Sequence, residues 1–289
     1  MTITNATAVL VEFNLRCPMK TRIISGAIAA AVVAALLLLN SFFNIVVVIV
    51  VALLAAVAVY EMLCETGAVK KSVPVYAAML YVAALQFSYS GLFIDATALT
   101  VLYVLTLAVF AVVDHKNFTF SELVVTLSMP IIIGFAFACL EEIINPGDRT
   151  GLLYFFLLFN FACVSDMGAY FVGSFAGKRK LAPEISPKKT VEGAIGGIVC
   201  SVIGTIIICV VFQLILKTPI NVILLTAFTP VFSIIGMFGD LFASVIKRHF
   251  GIKDYGNIMP GHGGVLDRTD SILLIAPALV LFLNYVSVI

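Results

Sequence analysis

The chain has 289 residues, of which 62% are hydrophobic and only 11% are charged. Soluble domains average roughly half apolar and a quarter charged residues, so this composition excludes a soluble protein. The formal net charge of +1 provides no electrostatic basis for binding nucleic acid, and we expect no nucleic-acid partner.

Long apolar runs, bounded by charged or turn-forming residues, follow one another along the whole chain. Each is long enough to cross a bilayer about 30 Å thick, and nine such helices leave no room for a separate soluble domain. The sequence therefore predicts an all-α integral membrane protein, a polytopic bundle of about nine transmembrane helices, with eight or ten as alternative counts. The expected spans are 23–39, 45–63, 75–93, 96–113, 123–140, 152–173, 194–216, 222–246 and 272–288.

The basic residues predict the orientation of these spans. With nine spans and a cytoplasmic N-terminus, all but two of the 17 Lys and Arg residues fall on the cytoplasmic side, and only Arg149 and Lys217 lie outside. This bias follows the positive-inside rule and predicts a cytoplasmic N-terminus and an external C-terminus. We expect a multi-pass protein of the cytoplasmic membrane of a prokaryote.

The connections between spans divide the chain into three parts. Residues 1–22 form a cytoplasmic segment, and 23–150 form about five spans that we interpret as scaffold, lipid-facing surface or oligomer contact, which leaves a homodimer open. Residues 151–289 form the expected catalytic region. Its cytoplasmic loops 178–191 and 247–269 are long, polar and rich in Gly and Pro, and loops of that length are usually functional or disordered.

Two aspartates lie inside predicted spans. Asp166 occurs in the sixth span and Asp240 in the eighth, each beside small residues. A carboxylate at membrane depth is costly and normally pairs with a cation or a proton inside the bundle. Helix-to-helix hydrogen bonding is the simpler interpretation, but we favour a functional role.

The basic segment before the seventh span suits phosphate binding. A Ser186-Pro187 turn, Lys188 and Lys189 precede Glu192 at the start of the helix. Lysines beside the N–H groups of a helix N-terminus can hold phosphate oxygens, although contact with anionic lipid headgroups is an alternative.

The segment 244–270 combines basic, acidic and glycine residues. Glycines allow close backbone approach to a ligand, Lys and Arg contact phosphates, and aspartates hold a hard cation. Asp240 and Asp267 beside these lysines suit Mg²⁺, whereas the scattered cysteines argue against zinc. The candidate residues in this segment are Ser244, Lys247, Arg248, Lys253, Asp254, His262, Gly263, Gly264, Asp267, Arg268 and Asp270.

Three stretches of the chain resemble the phosphatidate cytidylyltransferase (CDP-diacylglycerol synthase) family. They are SDMGAYFVGSFAGK from Ser165, SPKKTVEGAIGG from Ser186, and the pattern from SVIKR at Ser244 to PGHGGVLDRTD, which ends at Asp270. The matches cover roughly the C-terminal 45% of the chain. Met259 stands where the family's pattern favours Leu, Ile or Phe, a conservative difference.

The resemblance implies a membrane enzyme that joins CTP to phosphatidic acid with Mg²⁺, giving CDP-diacylglycerol and pyrophosphate at a site facing the cytoplasm. A second cation is left open. Asp240 and Asp267 would bind the metal. Five basic residues would contact nucleotide or lipid phosphates: Lys188, Lys189, Lys247, Arg248 and Arg268. Further site residues with less defined roles would be Asp166, Glu192, Lys253, Asp254, His262 and Asp270.

Two alternatives remain at this point. A CTP-dependent lipid kinase of the polyprenol type would share the nucleotide and the membrane setting. An ion-coupled transporter would explain Asp166 and Asp240 within spans, but not the phosphate-suited loops.

Overall fold

A computed structural model of the protein describes residues 44–91, 95–145, 150–256, 258 and 263–289. The expected segment 1–22, the first span and His262 lie outside these residues. The rest is an assembly of apolar helices with one small β-hairpin, so the all-α expectation holds apart from that hairpin.

In the described part of the N-terminal half there are four long helices. They are α1 (Asn44–Tyr60), which continues as a π-helical turn (Glu61–Glu65), α2 (Ser72–Tyr89), α3 (Ala96–Val113) and α4 (Phe120–Ile144). Local side chains fix where two of them begin. Asp95 accepts hydrogen bonds from the first amides of α3, and Thr119 and Glu122 form a reciprocal capping box at α4.

The C-terminal half contains the remaining elements. They are α5 (Gly151–Phe159), a second π-helical turn (Asn160–Val164), α6 (Ser165–Ala176), β1 (Lys180–Ala182), β2 (Ser186–Thr190), α7 (Val191–Leu216), α8 (Val222–His249), α9 (Leu266–Thr269) and α10 (Ile272–Tyr285). The predicted sixth span is therefore one apolar unit interrupted by a π-turn just before Asp166.

Six helical units of the described chain are long and apolar enough to cross a membrane. They are Ile45–Glu65, Ala96–Val113, Phe120–Ile144, Gly151–Ala176, Val191–Leu216 and Val222–His249. Helix α2 coincides with most of the predicted third span, and α10 is a shorter apolar helix in the predicted ninth. A polytopic helical membrane protein is confirmed, while the count of nine and the orientation of the termini stay predictions.

Small residues bring the helices of the C-terminal half close together. A Cβ atom on Gly197 of α7 would lie 2.5 Å from the Ser165 carbonyl oxygen of α6. On α8, a Cβ atom on Gly239 would lie 2.8 Å from the Asp270 carbonyl oxygen. Glycine at these positions allows backbone contact between helices, and this contact brings Asp166, Asp240 and Asp270 towards one another.

The β-hairpin replaces the expected loop before α7. Lys180 pairs with Thr190 and Ala182 with Ser186 in antiparallel register. The turn lies at residues 183–185, so Ser186 and Pro187 begin a strand and the Ser-Pro turn of the sequence interpretation is wrong.

Candidate functional site

The described site is a cluster of acids and lysines where the β-hairpin and the segment after α8 meet the helix ends. Lys189 forms an ion pair with Asp240, and the Nζ atom of Lys247 donates to the Oδ1 atom of Asp267 at 2.9 Å. Lys247 also lies 3.9 Å from Asp270. Each lysine therefore neutralises an acid that the sequence had placed in the site.

Asp267 is the most fully bonded acid of the cluster. Its Oδ2 atom accepts hydrogen bonds from the backbone N–H groups of Tyr255 at 2.8 Å and Gly264 at 3.0 Å. The side chain is only 5% exposed, and that of its partner Lys247 is 11% exposed. Asp267 thus holds the two ends of the segment 255–264 together.

Three carboxylates lie within electrostatic range of one another. Asp240 acts on both Asp166 and Asp270, and the positive charge of Lys189 reaches Asp166. Burial raises the pKa of Asp270 well above its usual range, repulsion from Asp240 raises it further, and Lys247 opposes both effects. Asp166 is exposed at the start of α6. The cluster therefore carries excess negative charge that an added cation would relieve.

Asp240 and Asp267 could supply two of the oxygen ligands of a Mg²⁺ ion. Asp240 is 23% exposed and offers a carboxylate. Asp267 accepts three hydrogen bonds from described residues, and only the one from Lys247 falls on Oδ1. Within the described ranges, no three His, Cys, Asp or Glu side chains are arranged as a metal site by themselves. Mg²⁺ commonly uses one or two carboxylates together with substrate phosphates, so these residues fit it.

Four further basic residues of the predicted site lie at the protein surface. Lys188, Arg248, Lys253 and Arg268 are exposed. The guanidinium of Arg248 donates to the carbonyl oxygens of Ile185 at 3.4 Å and Ile252 at 3.3 Å, which links α8 to the hairpin. The hairpin and the end of α8 therefore form one basic surface.

Glu192 contacts the chain itself in this structure. Its carboxylate accepts hydrogen bonds from the backbone N–H groups of Lys178 at 3.0 Å and Arg179 at 3.1 Å, and Thr190 caps the same helix end by accepting from Gly193. Glu192 thereby fixes the start of the hairpin. Its predicted contact with substrate stays a prediction, as do those of Ser244 and Asp254.

Tyr255 is a buried residue that packs beside Lys247. The phenol is 1% exposed and donates to the Ala243 carbonyl oxygen at 3.0 Å. Burial, followed by the charges of Asp267 and Asp270, raises the phenol's pKa, so the hydroxyl keeps its proton. The ring lies 5.2 Å from the Nζ atom of Lys247, a cation-π distance that stabilises the ammonium.

Glu61 is the site residue that the sequence interpretation missed. It belongs to the N-terminal half, yet its carboxylate accepts from the backbone N–H groups of Val265 at 2.9 Å and Leu266 at 2.8 Å. A signal was present, since Glu61 lies inside the predicted second span, where a charge is costly.

A cavity of about 600 Å³ lies at a different part of the bundle. It is lined by the Tyr89 end of α2 and by residues of α4 that include Glu141 and Glu142. None of the predicted site residues lines it, so we assign the chemistry to the acid and lysine cluster.

A helical membrane bundle that joins a basic hairpin to a lysine-neutralised acid cluster is suited to phosphate chemistry at a membrane. The chain belongs to the cytidylyltransferase family, whose model matches residues 20–286. Its position in that family agrees with the resemblance seen in the three motifs.

Relatives with a stated activity are similar to a large part of this chain. The phosphatidate cytidylyltransferase of Bacillus subtilis (strain 168) is 47% identical over 180 residues, which are 61% of this chain and 64% of the relative. That of Staphylococcus epidermidis (strain ATCC 12228 / FDA PCI 1200) is 40% identical over 170 residues, or 59% and 62%. The matched region thus spans less than two thirds of these relatives.

Proposed function

We propose that this protein transfers the CMP group of CTP to phosphatidic acid, forming CDP-diacylglycerol and pyrophosphate. The observation that carries the proposal is the cluster of Lys189, Asp240, Lys247 and Asp267. Lys189 comes from the hairpin, Asp240 and Lys247 from the membrane helix α8, and Asp267 from the segment after α8. Membership of the cytidylyltransferase family and the named activity of the relatives support it.

The chemistry requires charge neutralisation more than a strong base. A phosphate oxygen of phosphatidic acid attacks the α-phosphorus of CTP, the bond from that phosphorus to the bridging oxygen breaks, and pyrophosphate leaves. Both reactants are anionic, so cations must bring them together and hold them in line. Lys188, Lys189, Lys247, Arg248 and Arg268 provide the cations in this chain.

We propose that Asp240 and Asp267 hold Mg²⁺, which when bound would neutralise phosphate charge on CTP. Entry of the phosphates would give Lys189 and Lys247 new partners and release carboxylate oxygens for the metal. A second cation would be accommodated by the remaining negative charge of Asp166 and Asp270.

The membrane setting suits the two substrates. CTP is soluble, whereas the acyl chains of phosphatidic acid stay in the bilayer, so the site must be reached from both phases. We propose that the site faces the cytoplasm in a bacterial membrane. A homodimer stays a prediction. No observation favours the alternative functions of a lipid kinase or a transporter.

The test uses the full chain, purified in detergent and supplied with CTP, Mg²⁺ and phosphatidic acid. We expect pyrophosphate release that depends on all three and matches the formation of CDP-diacylglycerol. Asp267→Asn should abolish turnover without unfolding the protein. Asp114→Asn is the matched control, since Asp114 also pairs with a lysine, Lys71, at 3.0 Å, but in the N-terminal half. Folded wild-type protein that releases no pyrophosphate would refute the proposal.

A further inference from the structure

Glu61 is a fully buried carboxylate at the junction of the two halves of the chain. It is the first residue of the π-helical turn that follows α1, and its side chain is 0% exposed. In the part of the chain that the structure describes, no Lys, Arg or His forms an ion pair with it. A buried charge must be compensated by hydrogen bonds, and for Glu61 these come from the backbone.

Both oxygens of Glu61 bind the start of α9. Oε1 accepts from Val265 N and Oε2 from Leu266 N, across 204 and 205 positions of sequence. Such contacts are charge-assisted and are favourable at a helix start, where the N–H groups have no partner within the helix. Each carboxylate oxygen has a separate donor, so the orientation of the carboxylate and that of the backbone fix each other.

Two glycines permit this contact. A Cβ atom on Gly264 would lie 2.5 Å from the carboxylate oxygens of Glu61, and one on Gly256 would lie 2.6 Å from Oε1. Real side chains do not approach so closely. Gly264 belongs to the motif PGHGGVLDRTD that resembles the cytidylyltransferases, and Gly256 lies between that motif and SVIKR. Part of the resembling region therefore leaves space for a carboxylate of the opposite half.

The same short stretch of backbone orients Asp267. Three consecutive amides point to two acids: Gly264 N donates to Asp267, and Val265 N and Leu266 N donate to Glu61. A shift of this turn would move Asp267 relative to Lys247. Reactions that depend on alignment can lose about a hundredfold in rate for a displacement on the order of 1 Å.

We propose that Glu61 is a positioning residue of the transfer site, acting through the turn 264–266 on Asp267 and Lys247. The inference rests on the proposed function, and it assigns part of the site to the half of the chain otherwise interpreted as scaffold.

The test compares Glu61→Gln with Glu65→Gln. The two glutamates belong to the same π-helical turn, but Glu65 is exposed. Glutamine at position 61 keeps the size but presents an NH₂ group to one of the two backbone donors. We expect kcat per folded molecule to fall about tenfold or more in Glu61→Gln, with KM for CTP within about threefold, and Glu65→Gln to match the wild type.

Hydrogen exchange supplies a readout that a general loss of stability would not reproduce. In Glu61→Gln, the amides of 264–266 should exchange faster, while those of α1 and α10 keep wild-type protection. If Glu61→Gln does not fold, Gly264→Ala is the second variant, because its Cβ atom would displace the Glu61 carboxylate. It should produce the same loss of kcat and the same faster exchange at 264–266. Glu61→Asp keeps the charge and should recover part of kcat.

The outcomes separate this inference from the proposed function. An inactive wild type would refute the function itself. An active wild type with equal kcat in Glu61→Gln would refute only the role of Glu61. Faster exchange throughout α1 and α10, in proportion to the loss of activity, would identify a merely structural residue and would also refute it.

Discussion

Lys189 of strand β2 and Asp240 of helix α8 form an ion pair across two separate elements of the site. Their side chains are 22% and 23% exposed, so the pair is neither fully buried nor freely solvated. A partly exposed pair of this kind can exchange partners when a phosphate and a cation arrive.

Lys189→Met and Lys188→Met should differ although the residues are adjacent. Successive side chains of a strand point to opposite faces, and Lys188 is exposed while Lys189 contacts Asp240. We expect Lys189→Met to lower kcat by about a hundredfold, since truncating one partner leaves the other charge uncompensated. Lys188→Met should mainly raise KM for CTP. Steady-state pyrophosphate release measures both, and equal effects would contradict the assignment.

Metal removal should stop turnover reversibly. Chelation by EDTA is expected to abolish pyrophosphate release and excess Mg²⁺ to restore it, because the phosphates of CTP need a cation beside the carboxylates. Asp240→Asn should raise the Mg²⁺ concentration that gives half-maximal rate, whereas Asp114→Asn should leave it unchanged. Activity that persists in EDTA would exclude the metal proposal.

Gly263→Ala and Gly251→Ala separate backbone strain from contact with the site. Both glycines have positive φ, 87° and 68°, so alanine at either position should cost about 1 kcal/mol of folding stability. Only at Gly263 would the new Cβ atom meet the Oδ2 atom of Asp267, at 3.0 Å; at Gly251 it would meet open space. We expect similar thermal shifts but a loss of activity in Gly263→Ala alone. Parallel losses of activity would argue against the contact.

Asn160→Ala should destabilise the bundle. Asn160 is 1% exposed, and its Nδ2 atom donates to the Ser201 carbonyl oxygen at 2.9 Å and to the Thr205 hydroxyl at 3.0 Å. Removing these bonds between the second π-turn and α7 should cost about 1–2 kcal/mol. Thermal unfolding in detergent measures the loss. The half-buried Ser128, whose hydroxyl donates to the Val124 carbonyl oxygen of its own helix, is the control, and Ser128→Ala should change stability by less than about 0.5 kcal/mol.

The sequence predicted the parts of the site that depend on residue type. Asp166 and Asp240 were found because a charge within an apolar run is costly, and Lys247 and Asp267 because cations and glycines mark phosphate sites. Their pairing partners could not be predicted, since pairing depends on helix packing. The structure joins Lys189 to Asp240 through a hairpin whose short polar strands, 180–182 and 186–190, carry little strand signal in their composition.

Glu61 shows why part of the site was missed. The rule that drew attention to Asp166 applies equally to Glu61, but the surrounding apolar helix gave no reason to connect it with residues about two hundred positions away. The π-helical turn at Glu61–Glu65 is also unmarked in the sequence, and π-turns often occur at functional sites.

The bond between Glu61 and the start of α9 has a consequence for biosynthesis. The ribosome makes Glu61 some two hundred residues before the amides that satisfy it, at Val265 and Leu266. Helix α1 therefore enters the nascent bundle with a carboxylate that has no final partner until the last quarter of the chain has emerged. The order of translation makes closure of this contact a late event, so a stalled or truncated chain lacking Val265 would insert its early helices without completing the reactive centre.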